Sequence, residues 1–437
     1  MRNVLLVMVA FVVVVSSCKK NNDGPSVIAV PVKLVYPATG SFTATEGVKV
    51  TMTTGSSVFV ASTDANGITS ISVPLGVYDV SASDSRSEGG KSYAYNGAKA
   101  GVTVTSAWKT TDTVTITLTE SQASQIVIKE LYGGGVQKDD NSGVFQYDRY
   151  VTLYNNSATT ANLNNICIGM IAPYNAQGTN GFYGTDGELI YAKEGWIPAT
   201  QGFWYFQSNI TIAPGKQIIV ALNNAVNNTL TYTKSVNLAN ADYYCMYDIT
   251  KYSSTSYYVA PAAVIPTSHY MKAEAYGTGT AWALSVTSPG LFLFDVEGTT
   301  PSAFAADASK THTLTSYTSK KVPVEWVIDG VEAYLMNNTG NKKRFTPAVD
   351  AGAVYHLNGQ GYSIYRNVNK TATEALSENV GKLVYNYSKG TVSVGGTTDP
   401  SGIDAEASIK LGARIIYQDT NNSTNDFHLR SQAALRD

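Results

Sequence analysis

Chemistry in this chain of 437 residues would have to come from its histidines, cysteines and carboxylates, and their spacing matches no catalytic motif. His269, His312, His356 and His428 are scattered, without the separations that metal ligands show. There is no G-x-S-x-G elbow, no H-E-x-x-H, no C-x-x-C and no glycine-rich phosphate loop between a strand and a helix. A pair of carboxylates for glycoside hydrolysis would meet only in the fold, so a hydrolase acting on surface glycans stays open as an alternative. Asp419, Asn421, Ser423 and Asn425 set oxygen atoms at every second position, as calcium loops do. Thr424 stands where an EF-hand needs glycine, however, and Arg430 where it needs glutamate. That segment reads as a turn whose Asn and Asp side chains bond their own backbone. No catalytic residue, metal ligand or cofactor is expected.

Aromatic density is the stronger signal. Trp204, Tyr205, Tyr243, Tyr244, Tyr247, Tyr257, Tyr258 and Trp282 fall within eighty residues of one another. Tyrosine and tryptophan join an apolar body to a polar tip, which suits stacking on sugars or burial in a protein interface. Aromatic strands also serve simply as core and cross-strand pairs. Cys167 and Cys245 admit two readings as well: one disulfide in an oxidising compartment, or two inert core thiols.

The third cysteine has a defined context. Arg2 precedes twelve charge-free residues, Val4 to Val15, and Val15-Ser16-Ser17-Cys18 follows directly. Twelve helical residues reach only about 18 Å, short of the ~30 Å hydrocarbon layer, so the stretch reads as an export signal over residues 1–17. The tetrapeptide resembles the bacterial lipobox, whose cysteine is diacylated and becomes the new N-terminus. Cys18 is therefore the expected lipid attachment site, and its acyl chains are enough for stable anchoring. Residues 18–26 are polar with Gly24 and Pro25, a flexible tether.

The elements that follow read as strands. Gly, Tyr, Thr and Ser recur, only 15% of residues are charged, and the formal net charge is −2. With no long basic run, a nucleic-acid partner is not expected. Strand-like alternation appears at 27–36, 48–53, 57–61, 68–73, 77–82 and 114–119, punctuated by Asp64-Ala65-Asn66-Gly67 and Pro74-Leu75-Gly76. Short strands at this spacing predict an all-β sandwich over residues 27–120. Further strands are predicted at 126–131, 148–154, 218–222 and 361–366, within a larger all-β unit over 121–437.

Two resemblances attach to these segments. Thr63 to Gly67 with Ile71 to Val80 resembles the transthyretin-like, collagen-binding B-type domains, which implies a rigid spacer. Ile126 to Leu131, Asp148 to Asn156, Pro214-Gly215 before Ile218 to Leu222, and the ends at 361–366 and 419–427 resemble the lamin-tail domain, an immunoglobulin-like sandwich. That domain takes roughly a hundred residues, so an insertion at about 223–350 is expected to form a sub-domain or functional loops. The whole chain resembles an uncharacterised family of Bacteroidota outer-membrane lipoproteins, found alongside TonB-dependent receptors. The resemblance implies a lipid-anchored outer-membrane protein, cell-surface exposed or facing the periplasm. It would bind a nutrient, a glycan or a protein partner such as an outer-membrane receptor. A purely structural, adhesive role is a further alternative.

Overall fold

The computed structural model describes residues 27–437 except 39–41, 56, 89–90, 110, 123, 178 and 315–316. The export signal, Cys18 and the tether lie outside the described residues. Among those described, no helix is long and apolar enough to cross a membrane.

Alternating residues build the first unit. Strands β1 (Val27–Val35), β2 (Lys49–Thr54), β3 (Ser57–Ser62), β4 (Ile68–Pro74), β5 (Gly76–Glu88), β6 (Lys91–Val104), β7 (Val114–Thr117) and β8 (Thr119–Gln122) form two sheets. Their orders are β4-β1-β7 and β3-β2-β5-β6-β8. Val30, Val32 and Leu34 of β1 meet Val50 and Met52 of β2 and Val80 of β5 in a closed apolar core, while the intervening residues are more exposed. The Asp64–Gly67 turn carries the chain from one sheet to the other. Asp64 accepts backbone N–H bonds from Asn66 and Ile68 at 2.9 Å, and Gly67 takes a φ of +73°.

The larger unit is built on one fourteen-stranded sheet. Its path runs Val354–His356, Val327–Leu335, Gly290–Asp295, Ile166–Ile171, Trp196–Tyr205, Tyr270–Ala275, Tyr244–Met246, Gln217–Ala221, Tyr150–Asn155, β9 (Ile126–Tyr132), Ser363–Arg366 and Phe427–Arg430. A hairpin, Thr311–Leu314 with Tyr317–Pro323, pairs onto Trp196–Tyr205. The sheet curls, so that Ile128, Val151, Ile168, Trp204, Met271, Leu291, Val331 and Leu429, from strands along its whole width, share one core. Four of the five segments marked by the second resemblance lie side by side at one end of the path, and the fifth, 419–427, leads into Phe427–Arg430 beside them. Residues 223–350 contribute six strands to the same sheet, two of them wedged in by parallel pairing at Tyr244–Met246.

Both faces are covered over Ile126–Tyr132, Tyr150–Asn155, Ile166–Ile171 and Ser363–Arg366, which explains why these strands show no alternation of buried and exposed residues. All seven residues of β9 are buried. Ile126, Ile128 and Leu131 face the central core; Val127 packs beneath residues 365–417, and Tyr132 beneath a third layer that includes Val236 and Ile265.

Candidate functional site

The two units meet along a cleft of about 700 Å³. One wall comes from the first sandwich: Thr45, Glu46 and Lys49 around the start of β2, with Ser83, Asp84 and Arg86 on β5. The other comes from the larger unit: Asn367, Thr397, Thr398, Gln418, Asn425 and Phe427 among them. Asn96 of β6 donates across the junction to the Thr420 carbonyl, and the Ser124 N–H, in the connection between the units, donates to Asp419 at 3.0 Å. Tyr355 donates to the Gly55 carbonyl at 3.3 Å. On the sandwich wall, Arg86 binds Asp84 at 2.8 Å, and Tyr36 donates to the same carboxylate at 2.5 Å. On the opposite wall, Asn367 is fixed by the His428 ring at 2.8 Å.

Behind the cleft, the loop at 419–426 wraps a buried guanidinium. Arg366 donates to the carbonyls of Ile128 at 2.7 Å and Gln418 at 2.9 Å, and lies 4.3 Å over the Phe427 ring. Three carboxylates surround it: Asp329 in direct contact, Asp419 at 3.5 Å and Asp426 at 3.9 Å. Asp426 also accepts from the backbone of Thr420 and Asn422, and Asn422 caps the short helix Ser423–Asp426. The oxygen-rich segment is thus a turn locked onto an arginine, and no group of three or more His, Cys, Asp or Glu that could hold a metal occurs among the described residues.

Three carboxylates around one guanidinium in a dry site keep a proton near neutrality. Burial pushes Asp329 up to about 7 and Asp426 up to about 6, against the pull of Arg366. A carboxyl whose folded value is raised stabilises the fold fully below its unfolded value near 3.9, and loses that contribution as pH rises through the folded value. Burial lowers His356 to about 4 and His428 to about 3, and these act in the opposite sense below their unfolded value near 6.5. Above pH 6.5 the histidines drop out and the raised buried carboxyls, Asp329 foremost, set the slope. Thermal unfolding scans should show the midpoint falling between pH 6.5 and 8, by the equivalent of about 1 kcal/mol. Asp329→Asn should flatten that fall; an equally steep fall in the variant would show that the proton resides elsewhere.

The predicted aromatic contacts divide by their burial. Trp204, Tyr258 and Trp282 are core residues, at 0%, 3% and 1% exposure. Trp204 packs 5.4 Å from Tyr252 and 5.9 Å from Tyr258, and the Trp282 indole donates to the Gly202 carbonyl at 3.1 Å. Closed off from solvent in the central core, these three pack the interior of the sheet rather than face a ligand. Tyr205, Tyr243, Tyr244, Tyr247 and Tyr257 are half-buried and dispersed. Tyr244 stacks on His269 at 4.2 Å, Tyr247 packs edge-on against Tyr270, Tyr205 bonds Glu274, and Tyr257 lies against Tyr147. None of the eight lines the cleft.

The disulfide alternative is also corrected. Cys167 and Cys245 are both free and buried. Their strands are separated in the sheet by Trp196–Tyr205 and Tyr270–Ala275. Three strand spacings are about 14 Å, twice the Cα separation of about 7 Å beyond which a disulfide cannot close. Burial raises both thiols above the ordinary cysteine range, Cys245 to about 12, so they are inert core residues.

The cleft residues went unseen as a site in the sequence because they come from five separate segments, none with a motif. Lys49, Thr420, Thr424, Asn425 and Phe427 lay in segments already marked out, but for other reasons.

Fold and site together define an all-β protein of two packed units with a polar cleft at their junction. The chain belongs to the DUF4876 family, described as a protein of unknown function, whose model matches residues 213–434, just over half of the chain. Its fold is similar to the crystal structure of a DUF4876 family protein from Bacteroides thetaiotaomicron VPI-5482. The two share 20% identity over 92% of this chain and 94% of that one, with a TM-score of 0.51. At that identity the likeness establishes the fold alone. No curated protein matches the chain.

Proposed function

We propose that this is a lipid-anchored, non-enzymatic protein of the cell envelope that captures a small polar ligand, a nutrient or glycan, in the junction cleft. The observation that carries the reading is the cleft itself. Its volume falls within the range of small-molecule sites, and hydrogen-bonding side chains from both units converge on it. A hydrolase would need two free facing carboxylates. Of the two on this cleft, Asp84 is already held by Arg86 and Tyr36. The lipobox-like Val15-Ser16-Ser17-Cys18 supports anchoring at the outer membrane, where the protein would sit beside receptors able to take up what it captures.

Two measurements test this reading. Cys18→Ser should abolish lipidation, so that the protein appears in the soluble fraction or as an uncleaved precursor. A mature, membrane-bound Cys18→Ser protein would refute the anchor. For the cleft, a ligand panel spanning neutral oligosaccharides, uronic-acid oligosaccharides and short peptides should contain at least one member that raises the unfolding temperature. That rise should be lost in Ser83→Ala/Asn425→Ala; a rise that persists in the variant would place binding elsewhere.

A further inference from the structure

The side chains around the cleft select a class of ligand, on the premise that the cleft is the binding site. Its charges cancel. Asp84 and Arg86 are closed on each other, and the remaining two charges, Glu46 and Lys49, are exposed and of opposite sign. An anion or a cation would find no surplus of countercharge there, whereas a neutral ligand loses nothing by that balance. The other polar groups are hydroxyls and amides, Thr45, Ser83, Thr398, Asn367, Gln418 and Asn425 among them, side chains that both donate and accept.

A second observation points into the same wall. Ser83 and Asn96 stand directly opposite each other in the β5–β6 ladder. Asn96 is fully buried, and its amide nitrogen donates to the Thr420 carbonyl. Its carbonyl oxygen has no partner, and the Ser83 hydroxyl is buried and unpartnered as well. Leaving both unmet costs their desolvation, which one inserted group able to donate and accept would relieve. A recess of about 10 Å³ lined by Ser83, Thr424 and Asn425 adjoins the cleft at this place, with room for about one water-sized group.

We infer that the cleft binds a neutral, hydroxyl-rich ligand, an oligosaccharide, with one of its hydroxyls seated between Ser83 and Asn96. The recognition is by hydrogen bonds from hydroxyl and amide groups, without an ion pair.

Isothermal titration of the detergent-solubilised full chain tests this. The probes are neutral gluco-, xylo- and manno-oligosaccharides, uronic-acid oligosaccharides of matched length, and a short peptide. At least one neutral probe should bind, and Ser83→Ala and Asn425→Ala should each weaken it about tenfold without lowering the unligated unfolding temperature, which Ser83→Ala should raise slightly by removing an unmet hydroxyl. Binding of only the acidic sugar or the peptide, lost in the same variants, would overturn the neutral-sugar assignment and leave the cleft as the binding site. Neutral-sugar binding unaffected by both variants would overturn the assignment to this wall. No variant-sensitive binding by any probe would overturn the inference and the capture function together.

Discussion

Replacing Arg366 by methionine should destabilise the protein by about 3–5 kcal/mol, a fall of roughly 4–8 °C in the unfolding midpoint at pH 7.5. Arg366 is wholly buried and contacts three carboxylates and two backbone carbonyls. Methionine fills much of the same volume, so the expected loss comes from stranding buried negative charge rather than from a cavity. Two consequences separate this account from a packing defect. The loss should shrink at pH 5, where protonation neutralises Asp329 and Asp426. It should also shrink in Arg366→Met/Asp329→Asn, since one stranded charge is removed; the coupling in that double-mutant cycle should be of the order of 1 kcal/mol or more. A deficit independent of pH and additive with Asp329→Asn would mean that the carboxylates are not held by this arginine.

Truncating Trp204 to alanine should cost a further about 3–5 kcal/mol, the range for emptying a large aromatic from a core. Trp204 is completely buried and packs on Tyr252 and Tyr258. Its indole N–H has no hydrogen-bond partner, so Trp204→Phe removes an unmet donor along with part of the ring and should cost far less. Tyr257→Ala, at a half-buried position, should fall well below Trp204→Ala. This series sets the two readings of the aromatic-rich stretch against each other by chemical denaturation. A ligand-contact role predicts small stability changes at Trp204 and Tyr257 alike, whereas a core role predicts the graded order. Equal and small losses at all three would contradict the packing described above.

Much of the first unit was legible because its strands have one dry and one wet face. β1, with Val30, Val32 and Leu34 inward and Val27 and Val35 outward, shows the alternation directly. β6 was not legible, although it pairs on both sides. Its Gly97 breaks the β-branched pattern, and the reason lies in the opposing sheet: a Cβ there would come 2.5 Å from the Thr117 carbonyl and 2.6 Å from Ile116. In the larger unit the strands were recognisable but their faces were not, because covering layers bury both sides. The same ambiguity made Trp204, Tyr258 and Trp282 resemble surface contacts. A tyrosine or tryptophan in a doubly covered sheet has the same local pattern as one on a ligand platform. The cleft could not be read at all: Ser83, Asn367, Thr398 and Asn425 become neighbours only when the two units pack.

The most direct test of the cleft as the binding site is hydrogen exchange on the full chain, with and without the neutral oligosaccharide that binds it best. Protection is expected around Ser83 on β5 and in residues 418–427, with little change between Tyr243 and Tyr258. Protection confined to the Tyr243–Tyr258 stretch, with β5 and 418–427 exchanging as before, would contradict the account and return the aromatic segment as the binding surface.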